Sequence, residues 1–160
     1  MSMIGNFLAV TQAELDALYA DPEAVGTVLY EEKMSEVVDI DKAWHGIHFM
    51  LTGEQYGGDG PLAQVIMGGE PIGEEDVGYG PARGLSALEV KAIAAALSAV
   101  SEQQFRERFD QAALSEADIY PQIWDEGDEA LDYIAHNFSE TRRFYEAAAA
   151  NGMAAVLFVS

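Results

Sequence analysis

Two of the chain's three histidines stand in one segment, Asp39-Ile40-Asp41-Lys42-Ala43-Trp44-His45-Gly46-Ile47-His48-Phe49-Met50-Leu51-Thr52-Gly53. On a helix of about 3.6 residues per turn, Asp41, His45, His48 and Thr52 fall on one line. Ile40, Trp44, Ile47 and Leu51 fall on the adjacent line, which the core should claim. A carboxylate beside imidazoles can hold one ring in a single tautomer for general-base work, or ligate a divalent cation. The plainer role is structural: Asp41 is a natural N-cap, and a half-buried histidine can bond backbone or the glycine-rich segment that follows. The spacing is not His-Glu-x-x-His, and His136 lies far along the chain. No metal and no cofactor are expected.

A second constellation is Gly78-Tyr79-Gly80-Pro81-Ala82-Arg83-Gly84-Leu85, just before a helix start at Ser86. Arg83 is one of only eight basic residues. Near a helix N-terminus it could grip a carboxylate or phosphate. It could equally pair with Glu74, Glu75 or Asp76 and pin an acidic loop, which is the expected role. The segment lacks the Gly-Lys-Ser/Thr ending of a P-loop. Tyr120-Pro121-Gln122-Ile123-Trp124 is a third cluster, an aromatic anchor at the core rim or a recognition surface. There is no Gly-x-Ser-x-Gly elbow, and no carboxylate pair stands out as a glycosidase dyad.

The whole chain must position these groups with 160 residues, 49% of them apolar, which suits one core of ordinary size. Acidic residues number 28 against 8 basic ones, a net charge of −20. That balance argues against nucleic acid and against anionic membrane surfaces, since both are met by Lys and Arg. It suits a solvated acidic face, or a protein that meets a basic partner by electrostatic steering. Cysteine is absent, so disulfides, thiolate metal sites and Cys nucleophiles are excluded. The opening residues have no basic n-region, and no apolar run approaches the roughly 20 residues of a membrane span. A cytoplasmic location is the expectation.

Ile4–Val10 and Met153–Val159 are apolar runs of strand length at the two ends of the chain. Helices lie between. Thr11-Gln12-Ala13-Glu14, Ser86-Ala87-Leu88-Glu89 and Ser101-Glu102-Gln103-Gln104 are capping boxes. They open helices to about Ala20, to about Ala99, and through Phe105 and Phe109. Asp21-Pro22 should start another helix carrying Val25, Val28 and Leu29. Val37–Ile40 is extended, and Asp41 should cap a helix ending at Thr52, with Gly53 as the stop. Gly53–Leu85 holds ten of the fifteen glycines and three of the five prolines. It is expected to be loop, with Pro61–Met67 helical. Ser115 should cap a short turn. Asp125–Ala150 is expected to be helix with a break near Asn137–Ser139. The expected fold is a single helix-rich α+β domain, residues 1–160, with a small sheet that includes both terminal strands.

Met3-Ile4-Gly5, the Asp39–Gly53 segment, the Gly78–Arg83 loop, Ile119-Tyr120-Pro121 and the Phe144-Tyr145 ending together resemble the YfbM-like family. The resemblance runs in order along essentially the whole chain. It implies a small α+β domain of bacterial type and no activity, because the family is a domain of unknown function. The acid-rich and glycine-rich stretch between Glu54 and Asp76 departs from the family pattern. The function expected first is a non-enzymatic binding domain for a protein partner or small ligand. Its candidate cleft joins Asp41, Trp44, His45 and His48 to Tyr79 and Arg83. The alternatives are an enzyme with a His/Asp general base and an Arg83 anion clamp, or an acidic inhibitor or immunity-type protein.

Overall fold

The two terminal runs form the centre of the sheet. Strand β1 (Gly5–Val10) pairs antiparallel with the last strand of the chain (Ala154–Val159) over its full length, from Gly5↔Val159 to Val10↔Ala154. Both runs are apolar at nearly every position because both faces of this pair are covered. The computed structural model describes residues 2–160. Met1, the first residue of the expected domain, lies outside them.

In chain order, β1 leads to α1 (Gln12–Ala20), a 3₁₀ turn (Pro22–Ala24), the single turn α2 (Val25–Thr27) and a π turn (Val28–Glu32). The helix expected after Asp21-Pro22 is thus broken into three turn types. Asp21 makes no side-chain cap, and Gly26 interrupts the apolar stripe. A 3₁₀ turn at Met34–Glu36 precedes β2 (Val38–Asp39), and another at Asp41–Ala43 precedes α3 (Trp44–Thr52). After the glycine-rich stretch come α4 (Pro61–Met67), β3 (Glu70–Pro71), β4 (Arg83–Leu85) and α5 (Ala87–Ser98). Then follow α6 (Glu102–Glu107), α7 (Gln111–Glu116), α8 (Asp128–Ala150) and β5 (Ala154–Val159). Among the described residues the sheet order is β2-β1-β5-β4-β3, antiparallel at every pairing. The fold is therefore the expected helix-rich α+β domain with both terminal strands in one sheet.

Side-chain alternation along β1 and β5 feeds two cores. Phe7, Ala155 and Leu157 point to the larger one, with Ile47, Ile93, Leu97, Phe138, Phe144 and Tyr145 of the helices. Leu8, Val10, Val156 and Phe158 point to the smaller one, with Leu15, Leu18, Leu29, Ile72 and Val77. Phe7 stacks on Phe144 with ring centroids 5.0 Å apart, and Tyr145 meets its edge at 5.5 Å. All three capping boxes are present with both reciprocal bonds.

Two expectations about caps and breaks need correction. Ser115 does not cap a turn before Ile119 but lies inside α7, which Asp110 caps, accepting from Ala113 N–H at 3.1 Å. Helix α8 runs without a break from Asp128 to Ala150. Its mid-helix polar residues serve its own carbonyls: Asn137 Nδ2 donates to Tyr133 O and Thr141 Oγ1 to Asn137 O. Both side chains are buried. Bonding their own turn removes the reason to leave the helix.

Candidate functional site

Helix α3 carries His45 and His48, but it does not present them to solvent. His45 is 2% exposed and His48 fully buried. His45 Nδ1 accepts from the Tyr120 backbone N–H at 3.0 Å, so its Nε2 carries the proton and donates to Gln55 O at 3.0 Å. The ring lies stacked between Trp44 and Tyr56, at 5.1 Å from each. Burial lowers its pKa, only partly opposed by the Gln55 carbonyl and the Asp118 charge. His45 is thereby a neutral strut tying α3 to the Tyr120 segment and to the start of the glycine-rich loop.

His48 is different. Neither ring nitrogen has a hydrogen-bond partner. The Gly57 carbonyl and Glu54 face it from the loop and favour its charged form, while His45 and the Arg83 guanidinium oppose it. Burial is the largest influence and lowers its pKa.

Asp41 does not cap α3 and does not orient an imidazole. It sits at φ 52 in the turn before the helix, and its N–H goes to the Asp39 carboxylate at 2.6 Å. Its own carboxylate lies beside Tyr133. The Tyr133 hydroxyl accepts from Lys42 N–H at 3.0 Å, and its pKa is raised by burial first and by Asp41 second.

Arg83 forms no ion pair with Glu74, Glu75 or Asp76. Its Nη1 donates to Gly68 O at 2.7 Å and its Nη2 to Ile66 O at 3.0 Å. These are carbonyls at the end of α4, which a helix cannot satisfy internally. The acidic loop is held instead by Asp76, whose Oδ1 accepts from the N–H groups of Gly78 and Gly80. Tyr79 is bound through its backbone N–H to Val159 O at 2.9 Å, and its ring is exposed. Of the six expected cleft residues, Trp44 and Arg83 meet at one crevice, with room of only about 10 Å³. The six do not gather around one opening. In the aromatic cluster, Trp124 is buried and donates Nε1–H to Ile119 O at 2.8 Å, which makes it core.

A roomier opening lies elsewhere. A groove of about 580 Å³ runs between the C-terminal half of α8 and the β1–β2 edge of the sheet. Ala9, Val38, Phe144, Ala147, Ala148 and Met153 line it with apolar surface, and Glu36, Glu140 and Arg143 stand among its walls. Arg143 Nη1 is bound to Glu140 Oε1 at 2.8 Å. The volume lies within the range of about 300–1,000 Å³ typical of ligand sites. Sequence alone offers one partial signal for it. The run Ala147–Ala150 puts small residues on the helix, and small side chains leave a hollow where large ones would fill it.

Among the described residues no three or more His, Asp or Glu side chains are placed to hold a metal ion. No helix there is long and apolar enough to cross a membrane.

Fold and grooves together define a small antiparallel sheet layered with helices, with an apolar trough at one edge. The chain belongs to the DUF1877 family, described as a domain of unknown function, whose model matches residues 1–158. Among solved structures it is similar to a protein of unknown function, YfbM, from Escherichia coli, with a TM-score of 0.75 and 21% identity. That match covers 98% of this chain and 99% of the other, and at such identity it speaks to the fold. No curated protein matches the chain.

Proposed function

We propose that this protein is a binding domain that recruits a basic protein partner through the groove between α8 and the β1–β2 edge, and that it performs no reaction on what it binds. The groove carries this reading: it is apolar, open and of ligand-site size. The net charge of −20 supplies the second half, since a strongly acidic body attracts basic partners and repels acidic ones.

Of the residues that would serve an enzyme, His45 and Arg83 are committed to backbone, and His48, whose ring nitrogens are unbonded, is fully buried. A general base needs a free ring nitrogen, and both nitrogens of His45 are occupied. An anion clamp needs free guanidinium donors, and Arg83 directs Nη1 and Nη2 at the end of α4.

Affinity capture eluted with a salt gradient tests the reading, with an Ala147→Arg variant as the control. Arginine at 147 would fill the groove and cancel the net negative charge of its lining, and circular dichroism would check that the variant folds. The expected result is a basic protein bound in stoichiometric amount to the wild type, released at moderate salt and missing from the variant. The same protein retained equally by the variant would remove the groove from the reading. Recovery of only a small molecule that Ala147→Arg loses would replace the protein partner with a ligand.

A further inference from the structure

The lining of the groove includes a length of strand edge that nothing pairs among the described residues. Ile4 exchanges both backbone bonds with Ser160, at 2.8 and 3.0 Å. By antiparallel alternation Asn6, Leu8 and Val10 then turn their N–H and C=O groups toward β5, while Gly5, Phe7 and Ala9 turn theirs the other way, toward β2. The Gly5 carbonyl accordingly accepts from Ile40 N–H at 3.0 Å. The β1–β2 ladder covers Asn6↔Asp39 and Phe7↔Val38 and stops there. In register, Glu36 would face Ala9. It lies instead in the 3₁₀ turn Met34–Glu36 and gives its N–H to Lys33 O at 2.9 Å. Beyond Phe7 the outward backbone of β1, at Ala9, has no strand beside it among the described residues, and Ala9 lines the groove.

We infer that the partner enters this groove as an extended basic segment that adds to the edge of β1 at Ala9, in line with the end of β2. The inference rests on the binding reading above and names the form of its occupant. Strand addition joins main-chain bonds, which give affinity, to pockets for alternate side chains, which give specificity. Here the outward N–H and C=O of Ala9 supply the main-chain partners. Val38, Phe144, Ala148 and Met153 supply an apolar bed for side chains on one face of the added segment. Glu36 flanks that bed and suits Lys or Arg, while Glu140 on the other wall is shared with Arg143, bound to it at 2.8 Å. Lys33, the cation nearest Glu36, is held closer to Glu14, at 3.2 Å against 3.8 Å. The −20 charge disfavours a second copy of this chain as the occupant, because it would bring the same charge to the same face.

Two synthetic peptides of equal charge distinguish the inference from the reading it rests on. One alternates Lys and Val and is extended. The other arranges Lys and Leu with helical spacing. Each is titrated into ¹⁵N-labelled full-length protein near physiological salt, followed by amide shifts and by hydrogen exchange at Ala9. The expected result is that the extended peptide binds about tenfold more tightly than the helical one, as main-chain pairing requires. It should slow exchange at Ala9 and lose its binding to Ala147→Arg. Equal binding of both peptides in the groove, with Ala9 exchange unchanged, overturns strand addition and leaves the groove reading standing. No shifts at the groove with either peptide overturn both. A second variant, Ala9→Pro, removes the outward N–H, sets a ring in its place and tests the same bond. It should weaken the extended peptide and leave the helical one as it was.

Discussion

Two histidines one turn apart on α3 face opposite predictions because their nitrogens differ in partners. His48 is fully buried with both nitrogens unbonded. Replacing such a group with an apolar side chain of similar size removes a desolvation cost of about 1–3 kcal/mol. His48→Leu should therefore fold at least as stably as the wild type in denaturant melts, and a clear loss would show that a partner, such as a buried water, satisfies the ring. His45→Leu should destabilise by about 2 kcal/mol, because it leaves Tyr120 N–H and Gln55 O without partners. The same groups set a pH dependence. Burial lowers both pKa values below the ordinary 6.5, so the unfolded chain binds more protons than the folded one as pH falls through that value. Their contribution to stability is whole above 6.5 and is lost as pH drops from 6.5 toward the folded pKa values. Unfolding free energies at about pH 7.5 and about pH 5.5 should differ, and by less in His48→Leu than in the wild type. A wild-type stability that does not change between these two would mean that neither ring is held neutral.

At the scale of elements, two of the chain's few cations end helices. Arg83 holds the last carbonyls of α4, and Arg108 Nη1 reaches Met50 O and Leu51 O near the end of α3, at 3.3 Å each. Cations at helix C-termini complement both the unpaired carbonyls and the dipole. Arg83→Met keeps the stem and removes the bonds. It should cost about 1–3 kcal/mol and speed hydrogen exchange along α4 first, whereas Arg83→Lys should recover part of the loss. Fraying confined to β4 would contradict the capping role. Helix α3 also has a tight spot: a Cβ on Gly46 would lie 2.5 Å from Ile134 Cδ1 and 2.7 Å from Trp124 Cη2. Gly→Ala inside a helix ordinarily stabilises by about 0.5–1 kcal/mol. Gly46→Ala should instead destabilise by about 1–3 kcal/mol, as overpacking does, and thermal melts would read the sign. These elements also mark what the sequence could say. The boxes at Thr11, Ser86 and Ser101 are legible because both partners of each bond lie within four residues. Helix α4 was legible from Gly60-Pro61, with Pro in the first turn. The caps by Arg83 and Arg108 were not, because they join residues 15 or more apart. The groove was legible only in the small residues of α8, since it exists only where a short β2 meets them. Asp41, Trp44, His45 and His48 were correctly placed on or beside one helix start. Which side of α3 would be covered depended on Tyr56, Tyr120 and Trp124, which no local pattern connects to it.

For the molecule as a whole, the −20 charge makes salt act in two opposite directions. Ion pairs engage Lys33, Arg106, Arg142 and Arg143 with six carboxylates, those of Glu14, Glu36, Glu102, Asp132, Glu140 and Glu146. Among the described residues, most of the acids therefore have no cation within 4 Å. Exposed pairs add little, so the long-range repulsion among the remainder dominates the electrostatics of folding. Salt shortens the reach of that repulsion, from about 30 Å at 0.01 M to about 10 Å at 0.1 M. Compact and unfolded chains carry the same charges, but the compact one holds them closer, so screening favours it. The melting temperature should rise with sodium chloride over this low range, by about 2–4 °C for each kcal/mol of repulsion relieved. Hydrophobic salting-out is weak at such concentrations, and sodium and potassium chloride should act alike. The attraction between an acidic groove wall and a basic segment has the opposite dependence, because screening weakens it and slows encounter. A titration in salt should then show stability climbing while affinity for the alternating Lys-Val peptide falls. If both rise together, the apolar bed rather than charge governs recognition, and Glu36→Gln with Glu140→Gln should then leave the peptide's affinity unchanged. If charge governs, that double variant should weaken binding at low salt and flatten its salt dependence while still raising the melting temperature.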